Sequence, residues 1–220
     1  MWLNLWTACS NNRRARGFTL IEIIVVVAII AILAVIALPR YNRTLIAAKV
    51  AEARSNLRTG AVALNRYQMG EGKLPPAHYY RNDKRCWQMP PELTTPNPYL
   101  TAPPPDPFDM LDSTSKRAIS IKYIKPGPGF RDGKYRPERP IYIWLEDPSD
   151  PDNPSADTRV TDDSGPVKWA LWSVGPDGTS EFHPGQPDPH DPVPRRLWYD
   201  PTNGLKSTGN IVRLSDGRAG

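Results

Sequence analysis

The sequence predicts an α+β fold in which one long amino-terminal helix packs on a small antiparallel sheet with long loops. Apolar residues fill the run 23–38, which has the length of a membrane helix. Apolar residues then recur at three- and four-residue steps as far as Met69, which predicts an amphipathic continuation of the same helix. Alternating apolar and polar residues over 118–124, 140–145 and 167–174 predict the strands.

The first half of the predicted helix contains one charged side chain. Between Phe18 and Leu38 the only polar side chains are those of Thr19 and Glu22. As a helix this range is about 30 Å long, which is enough to cross a bilayer core. A carboxylate in such a segment is costly unless it lies at the interface or has a partner, so Glu22 is a candidate functional residue. The simpler alternative is a single-pass anchor with Glu22 at the headgroup edge.

A secretory signal peptide is a second alternative for this region. The arginines of segment 13–16 precede the apolar run, and the small residues Ala34 and Ala37 offer a cleavage site. Two observations count against this alternative. The basic cluster begins late, after residue 12, and the helical pattern continues beyond Leu38 instead of ending in a turn.

The sequence GFTLIE at residues 17–22, followed by the apolar helix, resembles the class III signal of type IV pilins and of type II secretion pseudopilins. The resemblance implies the type IV pilin-like fold. It also implies that a prepilin peptidase cleaves between Gly17 and Phe18 on the cytoplasmic face and methylates the new amino group of Phe18. Glu22 is then expected to act in filament assembly. Pro39 stands where these proteins usually carry a proline in the helix.

Simple electrostatics support the expected role of Glu22. Cleavage leaves a cationic amine on Phe18, and the Glu22 carboxylate of a neighbouring copy can neutralise it in a low-dielectric filament core. This pairing would select the register of the subunits. Pro39 lacks a backbone N–H, so it removes one helical hydrogen bond and favours a kink or local melting of the helix.

These patterns divide the chain into five predicted segments. They are a leader (1–17), a hydrophobic transmembrane or filament-core helix (18–38), an amphipathic helix half (39–69), a proline-rich connecting loop (70–117), and a region of antiparallel sheet and carboxy-terminal loops (118–220). Within the last segment, the Asp-, Pro- and Ser-rich stretch 147–165 predicts a mobile solvent loop. The stretch 183–191 contains His and Asp without zinc-like spacing, so we expect a solvated loop there as well.

Charge and cysteine content narrow the function classes. The net charge of +5 includes three arginines from residues 1–17, so the remaining chain carries about +2 and has no nucleic-acid-binding excess. Cys86 is the only cysteine after residue 17, so that part of the chain closes no internal disulfide. Cys86 is then either buried or paired between subunits. The sequence has no metalloprotease, phosphate-loop or nucleophile-elbow motif, and we expect no enzymatic activity.

The carboxy-terminal region contains the pattern Ser-x-Gly-x-Asp-Gly at residues 173–178, which resembles the calcium-binding loop of the major pseudopilin of type II secretion systems. The resemblance implies Ca²⁺ bound by oxygen ligands, and the candidates are Asp177, Asp200, Asn203 and Asn210. This chain departs from the family pattern by a long insertion and by Asn210, where an acid is common. Hydrogen-bonded turns are the alternative explanation for these residues.

The resemblance implies a structural pseudopilin subunit that polymerises into a periplasmic pseudopilus for type II protein secretion. Its partners would be other copies of itself, related pseudopilins, prepilin peptidase and an inner-membrane assembly platform. The subunit would cross the inner membrane once, with a cytoplasmic amino terminus and a periplasmic carboxy-terminal domain. One alternative is a type IV pilin subunit for adhesion, motility or DNA uptake. The other, from a different class, is a membrane-anchored periplasmic module that binds a glycan or peptide without polymerising.

Overall fold

A computed structural model gives the fold of the 220-residue chain. It describes residues 18–80, 87–109, 119–145, 149, 158–162, 164–178, 191–192, 198–203, 207 and 209–219. The architecture is α+β, as predicted, with one long amino-terminal helix and small sheets, an arrangement consistent with a pilin-like fold. The chain divides into two units, Met1–Asn42 and Arg43–Gly220.

Helix α1 (Leu20–Glu71) contains Pro39 and continues without a break on both sides of it. Because Pro39 has no N–H, it cannot donate to the carbonyl of Val35, and the predicted kink there stays a prediction. The helix ends where Gly72 adopts a φ of +70° and its N–H donates to the carbonyl of Gln68 at 2.9 Å. Glycine adopts this left-handed conformation without a steric penalty, which explains why the helix stops here.

The buried face of α1 belongs to the second unit. Its members recur mostly at three- and four-residue steps, as the amphipathic pattern predicts. They are Val50, Ala53, Leu57, Gly60, Ala61, Ala63, Leu64 and Tyr67. Gly60 marks a close approach to other elements, since a β-carbon there would lie 3.0 Å from Ile121 Cδ1 and 3.2 Å from Leu171 Cδ1. Fully burying a side chain such as Leu57 contributes about 1.5–3 kcal/mol, so this face holds the helix on the sheet.

The central sheet has the order β2-β7-β9, and both pairs of strands are antiparallel. Its strands are β2 (Lys122–Ile124), β7 (Ala170–Ser173) and β9 (Ile211–Leu214). Every residue of β2 and β7 is buried. These two strands lie within the predicted ranges 118–124 and 167–174. The strand β9 is not predicted, because turn residues dominate the tail that surrounds it.

A second sheet has the order β1-β3-β4. Its strands are β1 (His78–Tyr79), β3 (Gly127–Arg131) and β4 (Lys134–Ile141). β1 pairs with β3 in parallel, and β3 pairs with β4 in an antiparallel hairpin. The imidazole of His78 stacks on the ring of Phe130, with the centroids 4.6 Å apart. The hairpin is not predicted, because the glycines and prolines in its strands are usually strand breakers.

A third sheet has the order β6-β5-β8 and includes one parallel pair, β5 with β8. Its strands are β5 (Ile143–Leu145), β6 (Thr158–Val160) and β8 (Asp191–Pro192). The predicted strand 140–145 is therefore split between two sheets. The prediction of a mobile loop over 147–165 is wrong for β6, because Val160 is buried and pairs with Ile143. The described residues thus form three small sheets, two of them mixed, instead of one antiparallel sheet.

The connection between α1 and β2 is anchored by a buried carboxylate. Asp106 is 4% exposed, and it accepts hydrogen bonds from the Ser173 hydroxyl at 2.7 Å and from the amides of Phe108 and Val174 at 3.0 Å. Burial raises the pKa of Asp106, and the hydrogen bonds offset this effect only in part. The connecting loop is therefore tied to the end of the central strand β7.

Candidate assembly site

The first turn of α1 is closed by reciprocal hydrogen bonds between Thr19 and Glu22. The backbone N–H and the hydroxyl of Thr19 both donate to Glu22 Oε2, at 2.9 Å and 2.8 Å, and the backbone N–H of Glu22 donates to Thr19 Oγ1 at 3.4 Å. Thr19 is therefore the N-cap, and Glu22 occupies the third helical position of a capping box. A carboxylate at this position also interacts favourably with the positive end of the helix dipole.

The apolar first part of α1 is exposed. None of its most apolar stretch is buried. The side chain of Phe18, just before the helix, is 79% exposed. Removing apolar surface from water contributes about 25 cal/mol per Å², so a surface of this kind requires lipid or another protein around it. Within the described residues, α1 is the one helix that is long and apolar enough to cross a membrane.

Within the described part of the chain, the Glu22 carboxylate has one oxygen left for a further partner. Its Oε2 atom accepts both Thr19 donors. Among the described residues, Oε1 receives no hydrogen bond and Glu22 forms no ion pair. Since a carboxylate has about four acceptor positions, Oε1 can accept a cationic donor from a second molecule while Oε2 caps the helix.

The structure covers only some of the residues that the sequence singles out for processing, assembly or an open role. Gly17 and Cys86 lie outside the described residues, whereas Phe18 and Glu22 are described. Phe18 immediately precedes the N-cap, so an amino group created there by cleavage would stand at the end of the helix. Cleavage and methylation at this position stay predictions.

Residues 12–38 match the prokaryotic N-terminal methylation motif. This range contains the predicted cleavage position between Gly17 and Phe18 and both members of the capping box. The motif is the class III signal of type IV pilin-like proteins, and it supports a type IV pilin-like or pseudopilin subunit in general. No curated protein sequence and no solved structure matches the chain.

The motif has consequences for processing, membrane association and the class of function. It implies processing by a prepilin peptidase and assembly into pilin-like polymers. Together with the apolar part of α1, it indicates membrane anchoring through a single span. Proteins that carry this motif are structural and not enzymatic as a class. The exposed helix and the available Glu22 oxygen are the features of this chain that suit such a role.

The segment that holds Asn210 contacts both the predicted calcium loop and the segment that holds Asp200. Gly175 adopts a φ of +75°, and a β-carbon there would lie 2.1 Å from the carbonyl oxygen of Gly209. Only glycine fits this close approach. The backbone N–H of Tyr199 donates to the carbonyl of Asn210 at 2.8 Å. Asn210 is therefore next to both of the other segments that hold candidate ligands.

The candidate calcium ligands differ in how well they fit a cation. Asn210 is buried, and its Oδ1 has no hydrogen-bond partner among the described residues, whereas most buried side-chain oxygens have one. Asp200 is exposed, and the Thr202 hydroxyl and amide that donate to it lower the pKa of Asp200. Asp177 is half-buried in a turn, and the structure describes only the backbone of Asn203. No group of three acidic, His or Cys residues suited to a metal occurs in the described part of the chain.

Sequence reasoning missed two features of the molecule. The Thr-x-x-Glu pattern at residues 19–22 is a readable capping-box signal, yet the sequence prediction gives a role to Glu22 alone. The second feature is a concentration of cations on the hairpin of β3 and β4, formed by Arg131, Lys134, Arg136 and Arg139. No motif marks this group, because it depends on how the two strands pair.

Proposed function

We propose that the chain is a pseudopilin subunit that polymerises into a periplasmic pseudopilus for type II protein secretion. The observation that carries the proposal is the exposed apolar part of α1 with the capped carboxylate of Glu22 at its start. In a filament, other copies cover the apolar surface, and Glu22 Oε1 accepts a hydrogen bond from the Phe18 amino group of a neighbouring copy. Contact between copies therefore both covers the apolar surface and neutralises the charges of Glu22 and of the Phe18 amino group.

Two sequence features favour a pseudopilin over a surface pilin. Cys86 has no cysteine partner after residue 17, so the chain lacks the disulfide-closed carboxy-terminal loop that many type IV pilins have. The pattern at 173–178 resembles instead the loop of the major pseudopilin. We further propose that Ca²⁺ binds between the three segments that meet at Asn210, with Asp177, Asp200 and Asn203 as the other ligands. The all-oxygen ligand set and the orphaned Asn210 oxygen suit this ion.

The proposal assigns a location and partners to the subunit. A prepilin peptidase removes residues 1–17, and an inner-membrane assembly platform adds the subunit to other copies and to related pseudopilins. The amino terminus is cytoplasmic and the second unit is periplasmic. A type IV pilin subunit is the second candidate, because the methylation motif is common to both. Neighbouring genes for a secretin and secretion components favour the first candidate, and genes for retraction and adhesion favour the second.

Mass spectrometry of the membrane-extracted protein tests the common basis of both candidates. We expect an amino terminus at Phe18 that carries one methyl group. Expression in a host without prepilin peptidase is the control, and there the protein should retain residues 1–17. A mature amino terminus after Ala37 would instead indicate a secretory signal peptide and would contradict the proposal.

A further inference from the structure

The hairpin of β3 and β4 is irregular on one side. Gly129 pairs with Arg136 and Gly127 pairs with Ile141, so segment 137–140 of β4 bulges out of the ladder. The guanidinium of Arg131 holds this bulge, because its Nε donates to the carbonyl of Arg139 at 3.4 Å and its Nη2 to the carbonyl of Pro140 at 3.5 Å. Bulges of this kind re-aim side chains, and this bulge contains the charged residues Glu138 and Arg139.

A cavity of about 570 Å³ opens along this bulge, and we call it the hairpin groove. It is lined by four cations and two acids, with the ring of Tyr79 as a further wall; the charged residues are Arg131, Lys134, Arg136, Arg139, Asp132 and Glu138. Arg136 pairs with Glu138 at 3.3 Å. Lys134 and Arg139 are exposed and form no ion pair among the described residues. The groove therefore has a surplus of positive charge that attracts anionic groups.

The backbone of β4 limits how a partner can bind. β4 lies at the edge of its sheet, which is where an added strand would normally pair. Pro137 and Pro140 lie in this strand and have no N–H to donate, so they interrupt the hydrogen bonds that strand addition needs. Recognition in the groove therefore depends on side-chain charge, and carboxylates are the groups that arginine and lysine bind well.

We propose that the hairpin groove binds an acidic peptide, and that its occupant is the acidic segment, residues 146–157, of a second copy of this chain. The acidic segment has five acids and no Lys or Arg, which complements the cation surplus of the groove. Its three prolines restrict a free peptide of this sequence, so less conformational entropy is lost on binding. The choice of a second copy rests on the proposed function, because polymerisation brings copies together.

Peptide binding tests the groove itself. The probe is a fluorescent peptide of residues 146–157, added to the full chain in detergent, with anisotropy as the readout. We expect saturable binding that weakens as salt is added, and no binding of a control peptide in which the five acids are replaced by their amides. The double substitution Lys134→Glu with Arg139→Glu should lower the affinity at least about tenfold, because it reverses the charge of the groove.

The matched control for this test reverses two charges elsewhere. Arg66→Glu with Lys73→Glu changes the net charge by the same amount at exposed positions outside the groove, and the affinity should stay within about twofold of the unaltered chain. Equal losses from the two double variants, or equal binding of the amide peptide, would overturn the assignment of the groove. This assay needs no filament, so its outcome is independent of the proposed function.

Crosslinking tests the second copy as the occupant. Two chains with tags of different size, both carrying Cys9→Ser and Cys86→Ser, are expressed together, one with Arg139→Cys and the other with Asp152→Cys. We expect a bismaleimide to join them, and to join Lys73→Cys to Asp152→Cys at least about tenfold less. Peptide binding without this crosslink would show that another acidic partner fills the groove and would overturn the second-copy assignment. Loss of the crosslink in Glu22→Gln, with peptide binding retained, would support contact within the polymer.

Discussion

At the level of single residues, helix capping and the proposed assembly contact use different oxygens of Glu22. Glutamine retains an oxygen that can cap the helix but carries no charge. We therefore expect Glu22→Gln to preserve membrane insertion and to reduce oligomers by more than about a hundredfold, because an unneutralised amine of Phe18 in a low-dielectric contact costs about 3–5 kcal/mol. Chemical crosslinking in intact cells, read as a ladder of oligomers, measures this effect.

Thr19→Ala is the matched control for this prediction. It removes the capping hydroxyl but retains the charge of Glu22, and the loss of an N-cap costs about 1 kcal/mol. The ladder should therefore weaken several-fold and remain visible. A normal ladder from Glu22→Gln would contradict the charge-pairing role. Equal losses from Glu22→Gln and Thr19→Ala would show that the charge of Glu22 contributes no more to assembly than the capping hydroxyl of Thr19 does.

Asp106 gives the second unit a titratable buried contact. Because burial raises the pKa of Asp106, the folded state binds its proton more tightly than the unfolded state does. The contribution of Asp106 to the free energy of unfolding is therefore complete below the ordinary aspartate pKa of about 3.9 and falls as pH rises through the raised pKa. We expect Asp106→Asn to remove this decline. Urea unfolding of the full chain in detergent, between about pH 4 and pH 8, measures it.

The exposed Asp162 provides a control with the opposite sign. Hydrogen bonds from Ser164 lower the pKa of Asp162, so its contribution to stability is lost only as pH falls through that lowered pKa. Asp162→Asn should leave the decline between about pH 4 and pH 8 unchanged. If Asp106→Asn showed the same decline as the unaltered chain, the buried carboxylate would not be its source.

At the level of elements, the length of a pattern decides what the sequence can predict. The pattern of α1 extends over 52 residues and ends at a glycine, so both its type and its end are predictable. The hairpin of β3 and β4 has Gly and Pro in its strands, although Asp132-Gly133 at its turn is a hairpin signal. The pairing of β6 with β5 and the contact of Asp106 with Ser173 join residues that are far apart in sequence, and no local pattern encodes such contacts.

The candidate sites show the same limit. A short motif that does not depend on tertiary structure identifies Phe18 and Glu22, and the role of Thr19 can be read from its spacing to Glu22. The hairpin groove has no such signal, because its cations come together only when β3 and β4 pair with a bulge. Sites built within one helical turn are therefore predictable from this sequence, whereas sites built between strands are not.

The carboxy-terminal segments carry a prediction about calcium. If Ca²⁺ joins them, a concentration about a hundredfold above its dissociation constant should stabilise the full chain by about 2.7 kcal/mol, which corresponds to a rise in Tm of roughly 5–10 °C. Thermal melts in detergent with Ca²⁺ and then with chelator measure the shift. Asn210→Ala and Asp177→Ala should abolish it, and Asp162→Ala should not. An unchanged Tm on addition of Ca²⁺ would refute calcium binding.

At the level of the whole molecule, a polymer subunit and an anchored binding module make opposite demands on residues 18–38. An anchor has only to cross the membrane, so any apolar span of about 20 residues can replace it. A polymer subunit also needs the amino group of Phe18 and the carboxylate of Glu22 at the start of the span. We therefore expect a chimera with an unrelated span to insert into the membrane but to give no crosslinked oligomer ladder.

A second chimera separates the contribution of the capping box from that of the apolar surface. It carries the same unrelated span but retains residues 17–22, so processing, the new amino group and Glu22 are preserved. A partly restored ladder would show that the charge pair contributes to assembly independently of the apolar side chains. The anchored binding module predicts a different result. The first chimera would then function as well as the unaltered chain, and the unaltered chain would give no ladder, because binding of a glycan or peptide depends only on the unit Arg43–Gly220.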